Sequence, residues 1–268
     1  MARTGKRRRK LPGLLLFLAI FWFWSAFTLT VTRVSLTSEK LSAPVTIVQL
    51  SDLHGASFGK GNRLLLEAVR KEKPDLVVLT GDLYTYGDEA GQARALELAE
   101  ALAKQWPVYY VNGEHDNSAS FHEALARAGV RILDYEAAEL PDFNLCLYGI
   151  SNVYFSPTYD LHNAFTLDPS RYNVLLAHQV NAPAYAAFGL DLALCGDTHG
   201  GLIRLPGIGA VYYEGRWFPE RGPAPEPLKG LCDLGSTKLF VSSGLGNYPL
   251  PLRLFNRPEV AVLHLSPE

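Results

Sequence analysis

Cysteine is scarce in this chain, and its scarcity excludes a disulfide-stapled fold. Three cysteines occur in 268 residues: Cys146, Cys195 and Cys232. A disulfide framework requires an even set of cysteines at short spacings, and an odd number leaves at least one thiol free. Cys146 and Cys195 lie inside apolar runs, where a free thiol behaves as a small buried hydrophobic group. We therefore expect no disulfide framework.

Positive charge is also scarce once the first 43 residues are passed. That segment contains eight of the 25 Lys and Arg residues but one of the 27 Asp and Glu residues, so the remainder carries a formal charge of −9. A nucleic-acid-binding surface needs clustered basic side chains to neutralise phosphates. No nucleic-acid partner is expected.

The N-terminal segment holds the basic residues and the longest apolar run. The basic run at 6–10 is followed by uncharged, apolar residues 11–31, and about 20 such residues cross a bilayer as a helix. A secretory signal peptide has a shorter apolar core of about 7–15 residues and a small-residue cleavage site, for which Ser25-Ala26 is a poor candidate. The pattern favours an uncleaved transmembrane anchor over a cleaved signal, and the adjacent arginines leave a twin-arginine export signal open.

This segment sets the predicted domain organisation. Residues 1–10 are predicted to form a basic cytoplasmic tail, because positive residues beside a membrane span stay in the cytoplasm. Residues 11–31 are the predicted transmembrane signal-anchor, 32–43 a linker and 44–268 a folded domain. The expected location is the cell membrane, with a single span and the folded domain outside the cytoplasm.

From residue 44 onward, short β-branched runs alternate with helical stretches. The predicted strands are 45–50, 76–80, 108–112, 145–150, 172–178, 191–195, 238–243 and 260–265. Apolar residues at helical spacing predict helices at 62–72, 90–105 and 117–129. Alternation of this kind predicts an α/β fold.

Acidic and histidine side chains follow five of these strands, at the point where each strand ends. Open α/β sheets place their ligand sites at the carboxyl ends of strands. A single residue of this kind is more often an ordinary polar loop residue or a buried histidine, but five coincidences favour a common site. The residues are Asp52, His54, Asp82, Glu114, His115, Asp116, His178, Asp197 and His199.

The residue types in this set are those of a metal site. Imidazoles and carboxylates without cysteine favour divalent metals over a closed structural zinc site. In Asp52-x-His54 and Asp197-x-His199, residues two apart on an extended segment point the same way. Glycine precedes Asp82, Glu114 and Asp197, where a sharp turn brings the next side chain inward. The sequence predicts a two-metal hydrolase.

The order of these motifs resembles that of the calcineurin-like metallophosphoesterases. The family order is D-x-H, G-D, G-N-H-D, H and G-H-x-H, and this chain has DLH, GD, GEHD, H and GDTH at the matching places. The resemblance is to the membrane-anchored or exported bacterial branch and runs from about residue 44 to the end. It implies an αββα sandwich of two stacked mixed sheets flanked by helices, and two divalent metals that activate a hydroxide to attack a phosphoester.

Site roles follow from the resemblance by position. Asp52, His54 and His199 are implied to hold one metal, Asp82 to bridge the two, and His178 to join the second.

The motif GEHD is implied to supply the acid. His115 would protonate the leaving oxygen and Asp116 would orient it.

Two positions depart from the family pattern. Glu114 stands where the family has Asn, and Asp197 stands where it has the first His of G-H-x-H; both belong to the second metal. Two additional carboxylates favour hard ions, so Mn, Mg or Fe is expected rather than Zn. The alternative interpretation is decay to a site with one metal or none.

The expected function is metal-dependent hydrolysis of a phosphodiester or phosphomonoester of a lipid, a cell-envelope component or a small metabolite. The alternative is a catalytically silent domain that binds a metal or a partner on the same fold. An unrelated metallohydrolase barrel is disfavoured, because eight strand-helix repeats do not fit into about 225 residues.

Overall fold

The computed structural model describes residues 10–151, 160–222 and 227–268. The α-helices are α1 Lys10–Phe27, α2 Arg63–Glu72, α3 Glu89–Ala103, α4 Ala119–Arg127 and α5 Ala182–Phe188. The strands of the two large sheets are β1 Thr30–Thr37, β2 Val45–Leu50, β3 Leu76–Thr80, β4 Val108–Val111, β5 Arg131–Ile132, β6 Glu136–Leu140, β7 Leu145–Gly149, β8 Tyr172–Leu176, β9 Leu192–Cys195, β14 Gly230–Asp233, β15 Lys238–Val241 and β16 Glu259–Ser266. Two small hairpins lie between β9 and β14, formed by β10 Arg204–Leu205, β11 Gly209–Ala210, β12 Tyr212–Tyr213 and β13 Arg216–Trp217.

Two mixed sheets of six strands each form the centre of the molecule. The first has the order β1-β16-β2-β3-β4-β5 and the second the order β14-β15-β9-β8-β7-β6. Strands β2 to β5 run parallel, as do β7, β8, β9 and β15. All the carboxyl ends within each parallel set therefore lie at one edge of their sheet.

Alternation along the strands separates the layers. In β2, Ile47 packs in the core between the two sheets, whereas Val48 packs against α2, α3 and α4. In β8, Val174 faces the first sheet and Leu175 faces the side of α5, where Tyr185 is buried. The period of two that directs successive side chains to opposite faces thus builds three cores. The order helix, sheet, sheet, helix confirms the predicted αββα arrangement.

The segment expected to be a linker, 32–43, differs from that expectation. Residues 30–37 form β1, which pairs in parallel with all eight residues of β16, Glu259–Ser266. Val31 packs with the helix-side core, and Val34 and Leu36 pack with the core between the sheets. The short alternating stretch TVTRVSLT does not by itself distinguish a linker from a strand. It becomes a strand because β16, more than 200 residues away in the chain, pairs with it. The folded domain therefore includes residues assigned to the anchor and the linker.

The N-terminal helix also differs from the expected membrane span. Over the ranges that the structure covers, no helix combines the length and apolar content that crossing a bilayer requires, so the span predicted at 11–31 is not found. Helix α1 ends at Phe27 and the chain enters β1 at Thr30. The predicted basic tail falls mostly outside the described residues, which begin at residue 10.

Truncation tests the contribution of β1. A chain starting at Pro44 loses four partly buried apolar side chains and the buried Leu41, and it exposes the edge of β16, whereas a chain starting at Thr28 keeps these side chains and the paired edge. We expect the shorter chain to lose about 6 kcal/mol of unfolding free energy, at roughly 1 kcal/mol for each half-buried side chain and 2 kcal/mol for Leu41, and to aggregate through the open edge. Denaturant unfolding and light scattering of the two chains measure this, and equal midpoints would show that β1 is dispensable.

Candidate active site

The predicted site residues lie where the two sheets meet. Asp52, Asp82 and Glu114 to Asp116 follow β2, β3 and β4 of the first sheet, and His178, Asp197 and His199 follow β8 and β9 of the second. His54 lies two residues beyond Asp52. The parallel strands end at a common edge in each sheet, and stacking of the sheets brings the two edges together. This places the side chains close enough to act as a unit.

A first cluster consists of Asp52, His54 and His199, whose ligand atoms lie within 4.8 Å of one another. The Nε2 atoms of His54 and His199 are 3.2 Å apart. The Nδ1 atom of His54 is 3.0 Å from the hydroxyl of Thr85, a contact that fixes the ring orientation. Three ligand types of this kind can hold one divalent ion.

A second cluster consists of Asp52, Asp82 and His178, again within 4.8 Å. The Nδ1–H of His178 donates to the carbonyl oxygen of Thr80 at 2.8 Å, which leaves Nε2 with its lone pair. The Asp82 Oδ2 atom is 3.5 Å from the Nε2 of both His54 and His178. Asp82 therefore lies between the clusters, where a bridging ligand would lie.

The electrostatics of the clusters favour a bound cation. Burial raises the pKa of Asp52 to about 7 and lowers that of His54 to about 4. Burial also acts to raise the pKa of Asp82, but the imidazoles of His178 and His54 outweigh it and hold that pKa well below its usual range. Conversely, burial acts to lower the pKa of His178, and the carboxylates, Asp82 first, raise it well above its usual range. A proton on His178 and a divalent ion therefore compete to neutralise the same carboxylates.

Buried polar atoms without hydrogen-bond partners also indicate that these side chains suit a divalent ion. Among the described side chains, Asp52 Oδ2 and His178 Nε2 are buried atoms without a hydrogen-bond partner. An isolated buried polar atom costs about 1–3 kcal/mol. Two such atoms beside each other are explained by ligation.

The backbone is strained at five of the candidate ligands. The φ angles are +51° at Asp52, +46° at His54, +53° at Asp82, +70° at Asp197 and +49° at His199. Each left-handed non-glycine residue costs of order 1–3 kcal/mol. Such strain concentrates at functional sites, where the surrounding structure holds it to aim side chains.

Two glycines make room for the site. A Cβ atom on Gly113 would lie 2.1 Å from Asp82 Oδ1, and one on Gly196 would lie 2.0 Å from the Ser51 hydroxyl and 2.6 Å from Asp52 Oδ2. Both contacts are far too short for real atoms. The glycines before Glu114 and Asp197 therefore permit backbone to approach the carboxylates, in addition to any turn they form.

The two departures from the family pattern occupy different places. Asp197 Oδ1 is 3.6 Å from His178 Nε2, and its Oδ2 is 3.5 Å from the hydroxyl of Tyr213. Glu114 is exposed and accepts a hydrogen bond from Gln179 Nε2 at 3.0 Å. Asp197 thus adjoins the second cluster, while Glu114 lies at its outer rim.

His115 and Asp116 serve the site in different ways. The His115 ring lies 5.2 Å from that of His54, centroid to centroid, and its backbone N–H donates to Asp82 Oδ1 at 2.9 Å. Asp116 is fully buried, and its oxygens accept from the backbone N–H groups of Leu83 and Gly113, each at 2.7 Å. Asp116 therefore ties two loops together and fixes the backbone that carries His115.

Sequence reasoning missed Tyr248. Its ring stacks on His54 at 4.5 Å and 10°, and meets His115 edge-on at 4.7 Å. The residue lies in the Gly- and Pro-rich stretch after β15, and its only signal is an aromatic residue in a loop near the resemblance's C-terminal end. Tyr248 packs both imidazoles into one orientation.

The comparisons with known proteins agree with this geometry. The family model described as calcineurin-like phosphoesterase matches residues 45–201. An uncharacterised metallophosphoesterase of Aquifex aeolicus is 26% identical over 90% of this chain and 93% of its own length. The uncharacterised metallophosphoesterase YkuE of Bacillus subtilis is 28% identical over 82% and 78%, respectively. The phosphodiesterase YaeI of Escherichia coli is 26% identical over 84% and 83%.

Measuring the metal content of two variants distinguishes the roles of Asp197 and Glu114, the two carboxylates that differ from the family pattern. Asp197→Ala removes a carboxylate beside His178 and is expected to reduce bound Mn from about two ions per chain to about one. Glu114→Ala is expected to retain most of the metal, because its carboxylate is held at the rim by Gln179. Elemental analysis after dialysis checks this, with the exposed Glu123→Ala as control. Equal losses in both variants would place Glu114 among the ligands.

Proposed function

This chain belongs to the calcineurin-like phosphoesterase family and is a hydrolase that acts on phosphoester bonds, and from that premise we propose that it works with two divalent metal ions and a histidine acid. The observation that carries the proposal is the pair of buried clusters sharing Asp52 and linked by Asp82. The reaction is hydrolysis of a phosphodiester or a phosphomonoester.

The candidate ligands fall into two groups, one for each proposed metal ion. Asp52, His54 and His199 would hold one ion and Asp82 and His178 the other, with Asp197 beside them. Bound ions neutralise the phosphoryl oxygens and lower the pKa of the attacking water. The oxygen-rich set of the second cluster favours Mn, Mg or Fe over Zn. Thr80 and Thr85 hold two of the imidazoles in the orientation that ligation requires.

His115 is the proposed general acid. Its Nδ1 atom faces the backbone N–H of Tyr86 at 3.4 Å, so Nε2 is the ring nitrogen through which a protonated His115 would deliver its proton. The residue lines the cavity beside Asp82, where a leaving oxygen would depart. A proton delivered there prevents an alkoxide from accumulating. Tyr248, stacked against the neighbouring imidazole, limits rotation of the ring.

We also propose that the domain is held at the outer face of a membrane. The support is the apolar surface of α1, whose residues Leu14, Leu15, Leu16, Phe17, Leu18, Ile20 and Phe23 are all exposed. The orientation rests on the sequence: an apolar segment at 11–31 that crossed the membrane would keep the basic run at 6–10 in the cytoplasm.

Two esters whose leaving groups differ in basicity test the proposed role of His115 as the general acid. With bis(p-nitrophenyl) phosphate the departing phenolate is stable without a proton, whereas with diphenyl phosphate it is more basic. His115→Asn is expected to slow hydrolysis of diphenyl phosphate by roughly 10²–10⁴-fold and to slow the nitrophenyl ester much less, with metal content unchanged. The exposed His162→Asn serves as the control. Equal slowing of both esters would remove His115 from the acid role.

Protease accessibility tests the location. Protease added to intact cells is expected to digest the folded domain, and the same treatment of cells expressing a cytoplasmic control protein should leave that control whole. Immunoblotting measures both. Complete protection of the domain until the cells are lysed would place it inside.

A further inference from the structure

Residues of the two clusters of candidate ligands line one end of a cavity of about 900 Å³, and the residues at its two ends differ in polarity. At the inner end lie Asp82, His115, Asp197 and His199. Beyond them the wall is mainly apolar, and we call this part the apolar groove; it consists of Leu202, Ile203, Val211, Tyr212, Trp217 and Leu252. The clusters account for the inner end of the cavity, but phosphoester chemistry alone does not require the apolar groove.

Charge in the cavity restricts what occupies the groove. No Lys or Arg is found among the described residues that line it, whereas Glu114 and Glu214 do line it. A nucleotide or a second phosphate would bring more negative charge without a cation to receive it. The part of the substrate away from the reacting phosphoryl group therefore carries no further negative charge.

The apolar groove continues into an apolar surface. Leu252 at its rim belongs to the segment after Tyr248, where Leu250, Leu252 and Phe255 are 55%, 47% and 51% exposed. That segment holds α1, because Trp22 Nε1 donates to the carbonyl oxygen of Pro251 at 2.6 Å. Phe255 also contacts Phe21 of α1, with ring centroids 5.0 Å apart. Scattered exposed hydrophobic residues are ordinary, but a connected apolar surface marks a binding site.

We infer that the substrate is a phosphoester bearing an aliphatic chain, which lies in the apolar groove while the phosphoryl group lies at the metal clusters. This inference rests on the proposed function and names its substrate class. The groove begins at the candidate ligands and reaches Leu252, which adjoins the Pro251 carbonyl that Trp22 of α1 contacts. A lipid phosphoester would therefore reach the clusters along one continuous apolar path.

Two esters with the same leaving group test the inference. They are p-nitrophenyl methyl phosphate and p-nitrophenyl octyl phosphate, and both release nitrophenolate, so their difference reports the chain alone. Each buried methylene strengthens binding about fourfold. We expect kcat/KM of the full chain, in detergent with Mn, to be about tenfold or more higher for the octyl ester.

Variants of groove residues test whether the preference for the octyl ester comes from the apolar groove. Leu252→Ser and Trp217→Ala shorten its outer wall and are expected to lower the octyl-to-methyl ratio of kcat/KM at least about threefold each. Leu64→Ser, on α2, is the matched control, because Leu64 is 49% exposed and Leu252 is 47% exposed. Partition of the octyl ester into detergent is the same for every variant and cancels in the comparison.

The outcomes are distinguishable. If neither ester is hydrolysed with any divalent metal, the proposed function fails. If both are hydrolysed and the Leu252 and Trp217 variants keep the ratio of the parent chain, hydrolysis stands and the aliphatic-chain inference is overturned. A lowered ratio in those two variants, with the Leu64 variant unchanged, supports it.

Discussion

Mutual burial of carboxylates and imidazoles at the junction of the two sheets is the constraint on which the rest of the structure depends. Asp52 is fully buried and Asp82 nearly so, and carboxylates are rarely taken out of water without a compensating cation. His178 is buried beside both of them, and its Nε2 atom lies 3.5 Å from Asp82 and 3.9 Å from Asp52. The neutrality of this region requires a proton or a metal, and the arrangement of Nε2 atoms towards the carboxylates favours the metal.

The surrounding backbone is shaped to that requirement. Left-handed residues at five ligand positions and glycines packed against Asp52 and Asp82 do not stabilise the fold in isolation. They persist because β-sheet pairing and three apolar cores hold the strand ends in place. Asp116 adds to this by joining the β3 and β4 loops through the backbone of Leu83 and Gly113. The stable sheets thus hold the loop residues in strained backbone conformations, as is common at enzyme active sites.

Recognition and chemistry draw on different parts of the chain. The candidate ligands come from the ends of strands, whereas the apolar groove comes from residues 202–203, from Val211 with the β12–β13 hairpin that follows it, and from Leu252. The segment around Leu252 also contacts α1, so the helix that carries the exposed apolar residues is held beside the rim of the cavity by two residues, Pro251 and Phe255. The exposed apolar surface and the candidate metal site are joined in this way.

The sequence by itself determined the α/β class, the eight central strands and the residues of both clusters, because β-branched runs, turn glycines and titratable side chains are all local signals. Three features depended on the tertiary structure. Strand β1 acquires its identity from pairing with β16, more than 200 residues away. Glu114 and Asp197 occupy different places although their motifs match the same metal, since Gln179 holds one and His178 adjoins the other. Tyr248 reaches the imidazoles only because the loop after β15 folds back over the strand ends, and no local pattern encodes a contact between residues so distant in the chain.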